Sequence, residues 1–279
     1  MITDQQTNKL YLSALLKVKY PEFHRYLAQK LHSNGITVNY LNNTKDIWCR
    51  DYLPIQLNEK WFVQFKFNPC YLNYKKYDGI RTNPKAVWEE MNLTVKESDI
   101  VMDGGNVVKW YDKAIITDRI LKDNPKMGVS ALYYGIKHEL GINQLIVIPE
   151  LKREMTGHAD GILRFIEHNH LVINDFSKID ADYAKKLKLC LFNAGLTFIE
   201  LPNEFERAEN EIDDRGDYVN FLEMEDLVLI PAFNSEMDAV AELAYKEIFR
   251  DKKAVESIDC SEIAREGGAL NCITWNVKN

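Results

Sequence analysis

A thiol, an imidazole and several carboxylates recur at nearly the same phase of this 279-residue chain. Short strand-like runs begin near residues 52, 105, 161, 218 and 270, at intervals of 53, 56, 57 and 52 residues. Within three residues of those starts lie Asp51, Asp103, His158 with Asp160, Asn220 and Cys272. A cysteine can attack an electrophilic carbon, a histidine can move protons, and carboxylates can bind a cation. The shared phase therefore indicates an enzyme site assembled from distant segments.

Each of these residues also has a purely structural interpretation. A cysteine in an apolar run is usually a core residue, and an Asp-Gly-Gly-Asn segment such as 103–106 is typical of a turn. His158 could serve only as a structural hydrogen-bonding residue. Independent turn residues have no reason to share one repeat phase, which favours the catalytic interpretation. His158 and Asp160 are two residues apart at a predicted strand entry, where both would point to the same face.

The repeat predicts units of strand, strand, helix and strand that close into a ring. β-branched and aromatic runs indicate the strands, and apolar residues three and four apart indicate the helices. The first unit lacks one strand, which we expect the C-terminal run 269–275 to supply, closing the ring and removing an exposed sheet edge. A ring of repeats brings equivalent positions to one end. We expect one α/β domain over residues 1–279.

The composition excludes several classes of protein. Apolar residues make up 46% of the chain and charged residues 28%, as in ordinary soluble globular proteins. The net charge of −7 argues against nucleic-acid binding, which depends on clustered cations. No apolar run approaches the length of about 18 residues that a membrane span needs. The five cysteines are odd in number and form no CxxC pair, and the N-terminus lacks a secretory signature, so we expect reduced thiols and a cytoplasmic protein.

Six blocks of sequence surround the candidate residues. They are Trp48-x-Arg50-Asp51-x-x-Pro54, Asp103-Gly104-Gly105-Asn106, Asn124-Pro125, Gly157-His158-x-Asp160-Gly161-x-x-Arg164-Phe165, Tyr218-x-Asn220-Phe221 and Gly267-Gly268-x-x-x-Cys272-Ile273-Thr274. Together and in this order, they resemble the agmatine deiminase and bacterial peptidylarginine deiminase family of the guanidine-modifying superfamily. The resemblance implies a five-bladed, pseudo-symmetric α/β propeller of ββαβ units. It also implies hydrolysis of a guanidino group to a ureido product and ammonia.

The resemblance assigns catalytic roles to three residues. Cys272 would be the nucleophile that forms a covalent thiouronium intermediate, and His158 would be the acid and base. Asp103 would take the place usually held by a glutamate, orienting His158 and contacting the substrate. This chemistry needs no metal and no cofactor.

The resemblance also implies a set of substrate contacts. Asp51 and Asp160 would hold the guanidinium group, and Trp48 and Asn220 would contribute further contacts in the pocket. The sequence departs from the family pattern at two positions, since the family usually has a glycine at Leu53 and a histidine at residue 271, here an asparagine. The chain is also shorter than typical agmatine deiminases. These departures leave the choice of substrate open.

Ionisation of the nucleophile is expected to depend on the substrate. An unperturbed thiol titrates near about 8.5, and the thiolate is the reactive form. The carboxylates of Asp51, Asp103 and Asp160 would oppose formation of a thiolate at Cys272. A bound guanidinium cation and a protonated His158 would favour it.

Several alternatives remain open at this stage. The substrate could be a small guanidino compound such as agmatine or arginine, or the side chain of a protein-borne arginine. Lys75 or Lys76 could bind a substrate carboxylate, and Glu211 to Asp217 could bind a distal amine, although the acidic run 210–217 is expected to be mainly a solvated face. Amidino transfer to an amine is a second hypothesis, and a non-catalytic guanidinium-binding protein is a third.

Two other points of the sequence concern ligands and assembly. A zinc site built from the same side chains lacks compact ligand spacing. Neither nucleic acid nor a membrane is expected as a partner, and homo-oligomer formation is left open.

Overall fold

The computed structural model describes residues 1–73, 75–77, 79–152, 154–203 and 213–279, apart from the side chain of Lys76. It contains five three-stranded sheets. In each sheet the middle strand pairs antiparallel with one neighbour and parallel with the other. A helix connects each parallel pair, as a parallel crossover requires. The five sheets are the blades of an α/β propeller, which confirms the predicted fold class.

The strands follow the chain from β1 to β15. Their bounds are β1 Lys9–Ser13, β2 Val38–Leu41, β3 Ile55–Gln56, β4 Trp61–Lys66, β5 Thr94–Val101, β6 Val108–Trp110, β7 Lys113–Thr117, β8 Gln144–Ile148, β9 Leu163–Glu167, β10 His170–Asn174, β11 Thr197–Leu201, β12 Leu222–Glu223, β13 Leu227–Ala232, β14 Ala254–Asp259 and β15 Thr274–Val277. The blades are β15-β1-β2, β3-β4-β5, β6-β7-β8, β9-β10-β11 and β12-β13-β14.

Five longer helices bury one apolar side against the blades. They are α1 Pro21–Ser33, α2 Pro84–Glu90, α3 Val129–Leu140, α4 Ala181–Asn193 and α5 Met237–Ile248. The Asn83 side chain caps α2 by accepting from the Lys85 amide, and Gly141 ends α3 in the left-handed conformation. Short helical turns lie at Asp4–Gln6, Leu16–Lys19, Cys49–Tyr52, Cys70–Asn73, Lys75–Tyr77, Gly104–Asn106, Arg119–Asp123, Ser261–Ala264 and Leu270–Ile273.

The last strand closes the ring. β15 pairs antiparallel with β1, with Lys9 opposite Val277 and Leu12 opposite Thr274, so the prediction of closure by the C-terminal run is confirmed. The predicted extent of that strand is wrong, because Leu270–Ile273 forms a helical turn. The hydroxyl of Thr274 donates to the carbonyl of Leu270 at 2.7 Å and stabilises this turn.

In the described part of the chain, no helix combines the length and the apolar character that crossing a bilayer would demand.

Candidate active site

Five short turns, one ahead of the first strand of each blade, carry the predicted site residues. Asp51 lies in the helical turn before β3, and Asp103 begins the turn before β6. His158 and Asp160 precede β9, Asn220 precedes β12, and Cys272 lies in the turn before β15. Because these turns occupy equivalent places in the blades, they meet at one end of the ring.

His158 and Asp160 lie in a turn and not at a strand entry, which corrects the geometry expected from the sequence. The turn is closed by the Ile162 amide, which donates to the carbonyl of Ala159 at 3.0 Å. The Asp160 amide donates to the carbonyl of Gly105 at 3.2 Å. The shared direction of the two side chains therefore comes from the turn and from the neighbouring blade, and not from the pleat of a strand.

A cavity of about 640 Å³ opens between these turns. Its lining includes six of the predicted site residues, namely Trp48, Asp51, His158, Asp160, Asn220 and Cys272. Asp103 is not among the described lining residues and lies behind the imidazole of His158, at 3.1 Å from Nε2. The structure therefore brings all seven predicted side chains to one cavity or its immediate wall.

Asn220 holds the Cys272 turn. Its Nδ2 donates to Sγ of Cys272 at 3.1 Å, and its Oδ1 accepts from the backbone amides of Asn271 at 2.9 Å and Cys272 at 3.3 Å. Oδ2 of Asp160 lies 3.9 Å from the sulfur. Burial raises the pKa of the Cys272 thiol well above its usual value, and the charges of Asp160 and Asp51 add to this rise. A thiol with such a raised pKa is protonated at neutral pH.

His158 lies between two carboxylates. Nε2 is 3.1 Å from Oδ2 of Asp103, and Nδ1 is 3.4 Å from Oδ1 of Asp51. Burial alone would lower the pKa of the imidazole, but the charge of Asp51, the hydrogen bond and charge of Asp103, and the charge of Asp160 outweigh it and raise the pKa to about 10. The imidazole is therefore protonated at neutral pH and can act as an acid.

The carboxylates of Asp51 and Asp160 accept hydrogen bonds from different neighbours. The hydroxyl of Tyr71 donates to Oδ2 of Asp51 at 3.0 Å, and Nδ2 of Asn271 donates to Oδ2 of Asp160 at 2.6 Å. Burial raises the pKa of Asp51 to about 7, opposed by His158, and burial also raises the pKa of Asp160. Within the described part of the chain, Oδ1 of Asp51 is buried and accepts no hydrogen bond, and it lies 3.4 Å from Nδ1 of His158. A carboxylate oxygen of this kind can accept a hydrogen bond from a cation with several N–H groups.

Two glycines make this close packing feasible. A Cβ on Gly105 would lie 2.6 Å from Oδ1 of Asp51 and 2.6 Å from Nδ1 of His158. A Cβ on Gly268 would lie 2.6 Å from the ring of Trp48. Any side chain at these positions would displace the residues on which the site depends.

The rest of the cavity includes carboxylates that the sequence did not identify as cavity residues. Asp214 and Asp217 line it and are only 8% and 6% exposed, so the expected solvated face is wrong at these two positions. The repeat phase could have identified Asp217, which lies one residue before the start near residue 218. Tyr71 and Glu154 also line the cavity, and no sequence signal marked them.

Only some of the residues considered for binding the far end of a substrate line the cavity. Of the run 211–217, Asp214, Arg215 and Asp217 line the cavity, and residues 211 and 212 lie outside the described residues. Lys75 is exposed and is not among the described lining residues, and the side chain of Lys76 lies outside the described part. In that same part, no group of three or more His, Cys, Asp and Glu side chains is arranged to hold a metal ion.

A family of known enzymes matches nearly the whole chain. The model of the Porphyromonas-type peptidyl-arginine deiminase family matches residues 6–277. The chain belongs to this family. It is accordingly a hydrolase of the deiminase type, which acts on carbon–nitrogen bonds.

Individual relatives agree with this membership. A protein of Streptococcus mutans, provisionally named an agmatine deiminase, is 31% identical over 88% of this chain and 78% of its own length. The structure of C. jejuni agmatine deiminase superposes with a TM-score of 0.81 at 17% identity, covering 100% of this chain and 95% of that chain. A DDAH from Pseudomonas aeruginosa, solved with citrulline, gives a TM-score of 0.61 at 12% identity over 98% of this chain and 100% of that chain. The two structures share the propeller fold with this family member.

Proposed function

We propose that this chain hydrolyses the guanidino group of a small cationic substrate to a ureido group and ammonia, through a covalent intermediate on Cys272, within one catalytic domain of residues 1–279. The observation that carries the proposal is the common cavity of Cys272, His158, Asp51 and Asp160. A thiol, an imidazolium and two carboxylates at one concave site fit a planar cation that must be attacked at its central carbon.

Asp51 and Asp160 bind the guanidinium group. Each charge-assisted hydrogen bond contributes roughly 1.5–3 kcal/mol, so a guanidinium bridging the two carboxylates is held firmly. Oδ2 of Asp160 is 3.9 Å from the sulfur, so a guanidinium nitrogen bound to this oxygen brings its carbon next to Sγ. The ring of Trp48 and the amide of Asn220 complete the wall around the reacting group. Such orientation lowers the entropic part of the barrier.

The first half of the reaction releases ammonia. The thiol of Cys272 first loses its proton to solvent. The thiolate sulfur forms a bond to the guanidinium carbon, and the electron pair of one C–N double bond moves to nitrogen. The protonated imidazole of His158 then gives its proton to the departing nitrogen, the C–N bond breaks, and ammonia leaves a thiouronium group on the sulfur. Asp103 orients the imidazole through its contact with Nε2.

The second half consumes water. The neutral imidazole of His158 takes a proton from a water molecule, whose oxygen forms a bond to the thiouronium carbon. The C–S bond then breaks, its electron pair returns to the sulfur, the remaining hydroxyl proton passes to that sulfur, and the neutral ureido product is released. The imidazolium is regenerated, and the enzyme is ready for another cycle.

The substrate itself promotes ionisation of the nucleophile. Burial and the nearby charges of Asp160 and Asp51 raise the pKa of the Cys272 thiol, and a guanidinium placed beside the sulfur offsets both charges. The amide of Asn220, which donates to Sγ, also favours the thiolate. Titration of the thiolate absorbance with and without an unreactive guanidinium ligand tests this step, since a titration that does not respond to the ligand contradicts it.

We assign the lining residues other than the reacting group to the far end of the cavity, where they favour a substrate with a cationic tail. Carboxylates of Glu154, Asp214, Asp217 and Glu266 line it, against two cationic side chains. One of these cations, Arg215, is held by Asp213 through contacts of 2.7 to 3.1 Å. We therefore infer an aminoalkylguanidine such as agmatine in preference to free arginine or a peptidyl arginine.

A substrate panel tests the proposal. Agmatine, free arginine and a peptide with an internal arginine are each incubated with the enzyme, and ureido product and ammonia are measured. We expect the highest kcat/KM for agmatine, equal yields of the two products, and no change in ammonia release when an amine acceptor is added. Product without ammonia in the presence of the acceptor would indicate amidino transfer instead, and binding without any product would indicate a non-catalytic guanidinium-binding protein.

A further inference from the structure

Five buried polar residues occupy the first strand of each blade. They are Gln56 on β3, Lys109 on β6, Arg164 on β9, Glu223 on β12 and Asn276 on β15. They link neighbouring blades, since Nη1 of Arg164 donates to the carbonyl of Phe221 at 3.0 Å and Nδ2 of Asn276 donates to the carbonyl of Glu223 at 2.9 Å. They recur along the chain at nearly the same intervals as the catalytic turns. These five residues form a polar centre of the ring, behind the end that carries Cys272 and His158.

The N-terminal turn Asp4–Gln6 packs against this polar centre. The carboxylate of Asp4 lies 2.6 Å from Nη2 of Arg164 and 3.0 Å from Nζ of Lys109. Burial would raise the pKa of Asp4, but the nearby cations hold it well below its usual range. The hydroxyl of Thr7 accepts from Nδ2 of Asn276 at 2.7 Å. The start of the chain therefore ties several blades together at the centre.

Arg50 connects this centre to the catalytic turns. Its Nη2 donates to Oδ1 of Asn276 at 2.6 Å, and its Nη1 lies 3.9 Å from the carboxylate of Asp4. On the other side, its Nε donates to the carbonyl of Asn271 at 3.3 Å. Arg50 directly precedes one guanidinium-binding residue, and Asn271 directly precedes the cysteine. Arg50 is not among the described residues that line the cavity, so its contacts act on the site from behind.

We propose that Arg50 is a positioning residue which, anchored by Asn276 and Asp4, fixes the Cys272 turn relative to the Asp51 turn. The inference rests on the proposed function, because it assumes that the sulfur and this carboxylate act on one substrate. Displacement of a reacting group by about 1 Å can lower a rate by about 10²-fold. A buried side chain that bridges the two turns is therefore expected to control kcat more than substrate affinity.

The charge of Arg50 also affects the ionisation of Asp160. Asp160 faces six groups from the surrounding elements, namely Asp51, His158, Cys272, Asn271, Arg164 and Arg50. Burial raises the pKa of Asp160, and His158, Arg164 and Arg50 oppose that rise. Loss of the Arg50 charge would therefore make Asp160 harder to ionise, whereas replacement by lysine would retain the charge and lose the geometry of the two hydrogen bonds.

Substitution of two similar buried amide residues distinguishes an effect on the position of the Cys272 turn from an effect on overall stability. Asn276 and Gln56 are both 3% exposed on first strands, but only Asn276 contacts Arg50, whereas the Gln56 side chain bonds the backbone of Lys278. We expect Asn276→Ala to lower kcat for agmatine at least about tenfold with little change in KM. Gln56→Ala is expected to lower Tm similarly and to keep kcat near that of the wild type. Equal losses of kcat in the two variants would overturn the proposal.

Substitutions of Arg50 provide the second measurement. Arg50→Lys is expected to lower kcat. It should leave in place the acid limb of the pH profile, which is the fall in rate at low pH as Asp160 becomes protonated. Arg50→Gln is expected to lower kcat and also to move that limb to higher pH. Full kcat in Arg50→Lys would show that the hydrogen bonds do not position the turn.

A readout that needs no turnover keeps this test separate from the proposed function. Alkylation of Cys272 by iodoacetamide, followed by mass spectrometry of its peptide, is expected to be at least about threefold faster in Asn276→Ala than in Gln56→Ala, because a loosened turn opens more often. Equal alkylation rates would contradict the positioning role. An absence of ureido product from the wild-type enzyme would instead refute the proposed function.

Discussion

The reacting end of the cavity and its far end are built in different ways. At the reacting end each side chain comes from a turn just ahead of a first strand, and equivalent turns recur around the ring. At the far end Asp214 comes from the long connection between β11 and β12, and Asp217 lies at the end of this connection, next to the repeated turn. A repeat can maintain the first arrangement while the connections change. We therefore expect the reaction to depend on the repeated turns and the choice of substrate to depend mainly on the connection before β12.

The two ends also differ in how their charges are balanced. At the reacting end, the imidazolium of His158 is within 3.4 Å of two carboxylates. At the far end, Arg215 is bound by its own neighbour Asp213, and Lys178 also lines the cavity. Substitutions at the reacting end should thus change kcat for every substrate, whereas those at the far end should change KM for one class of substrate.

The largest effect is expected from removal of the nucleophile. Cys272→Ala should lower kcat by at least about 10⁴-fold with every guanidino substrate, because no other described side chain of the cavity can form the covalent intermediate. Cys190→Ala, on α4, is the matched control and should retain kcat. Rapid mixing followed by intact-mass measurement should detect the thiouronium adduct in the wild type only. Ammonia release by Cys272→Ala near the wild-type rate would refute the covalent mechanism.

Asp160→Asn should have the next largest effect. Loss of the charge-assisted contacts to the guanidinium should lower kcat/KM at least about 10²-fold for agmatine and arginine alike. Steady-state kinetics with both substrates measures this loss. Asp112→Asn is the control, since Asp112 is exposed on a turn and contacts Asn143. A loss confined to one substrate would place Asp160 with the far end of the cavity.

Asp217→Asn should affect one substrate class. Asp217 lines the cavity and accepts from Nδ2 of Asn174 at 2.7 Å, so its carboxylate is held in place. We expect KM for agmatine to rise about tenfold, corresponding to about 1.4 kcal/mol, with kcat nearly unchanged and arginine turnover not reduced. Initial rates over a range of each substrate give the two constants. An equal rise in KM for arginine would remove the distinction between the two ends.

The smallest effect concerns pH. Asp51 must be ionised to bind the guanidinium, and burial raises its pKa to about 7, so kcat/KM should fall as the pH drops through this value. The Tyr71 hydroxyl favours the ionised form of Asp51 through its hydrogen bond. Tyr71→Phe should therefore move the fall to higher pH, by less than about one unit. A shift to lower pH in the kcat/KM profile would contradict this assignment.

The blade pattern and the convergence of the turns were predictable because the strands and the helix of most blades follow one another in the chain. The apolar pattern of each such segment therefore indicates its own elements. Val129–Leu140 and Ala181–Asn193 are helices in which apolar residues recur three and four apart, the spacing that predicts a helix. The helical turn at Leu270–Ile273 was not predictable, because it depends on Asn220, which is 51 residues away from Asn271 in the chain. Local propensity contains no information about such a contact.

The same limit applies to the candidate site. Residues that repeat with the blades, such as Asp51 and His158, were identified from phase alone. Tyr71 was missed because it reaches Asp51 from a short helical turn after β4, and not from a turn ahead of a first strand, where the repeat phase marks residues. Asp4 was missed because its partners Lys109 and Arg164 meet it only when the ring has closed.

Pairing of β15 with β1 joins residues about 265 positions apart, and bringing such distant segments together is slow. During synthesis, the acidic groups of the earlier blades leave the ribosome well before the sulfur does. A nascent chain therefore carries the cation-binding groups without the reactive thiol. The proposed covalent chemistry therefore becomes possible only after the segment that carries Cys272 has paired with β1 through β15.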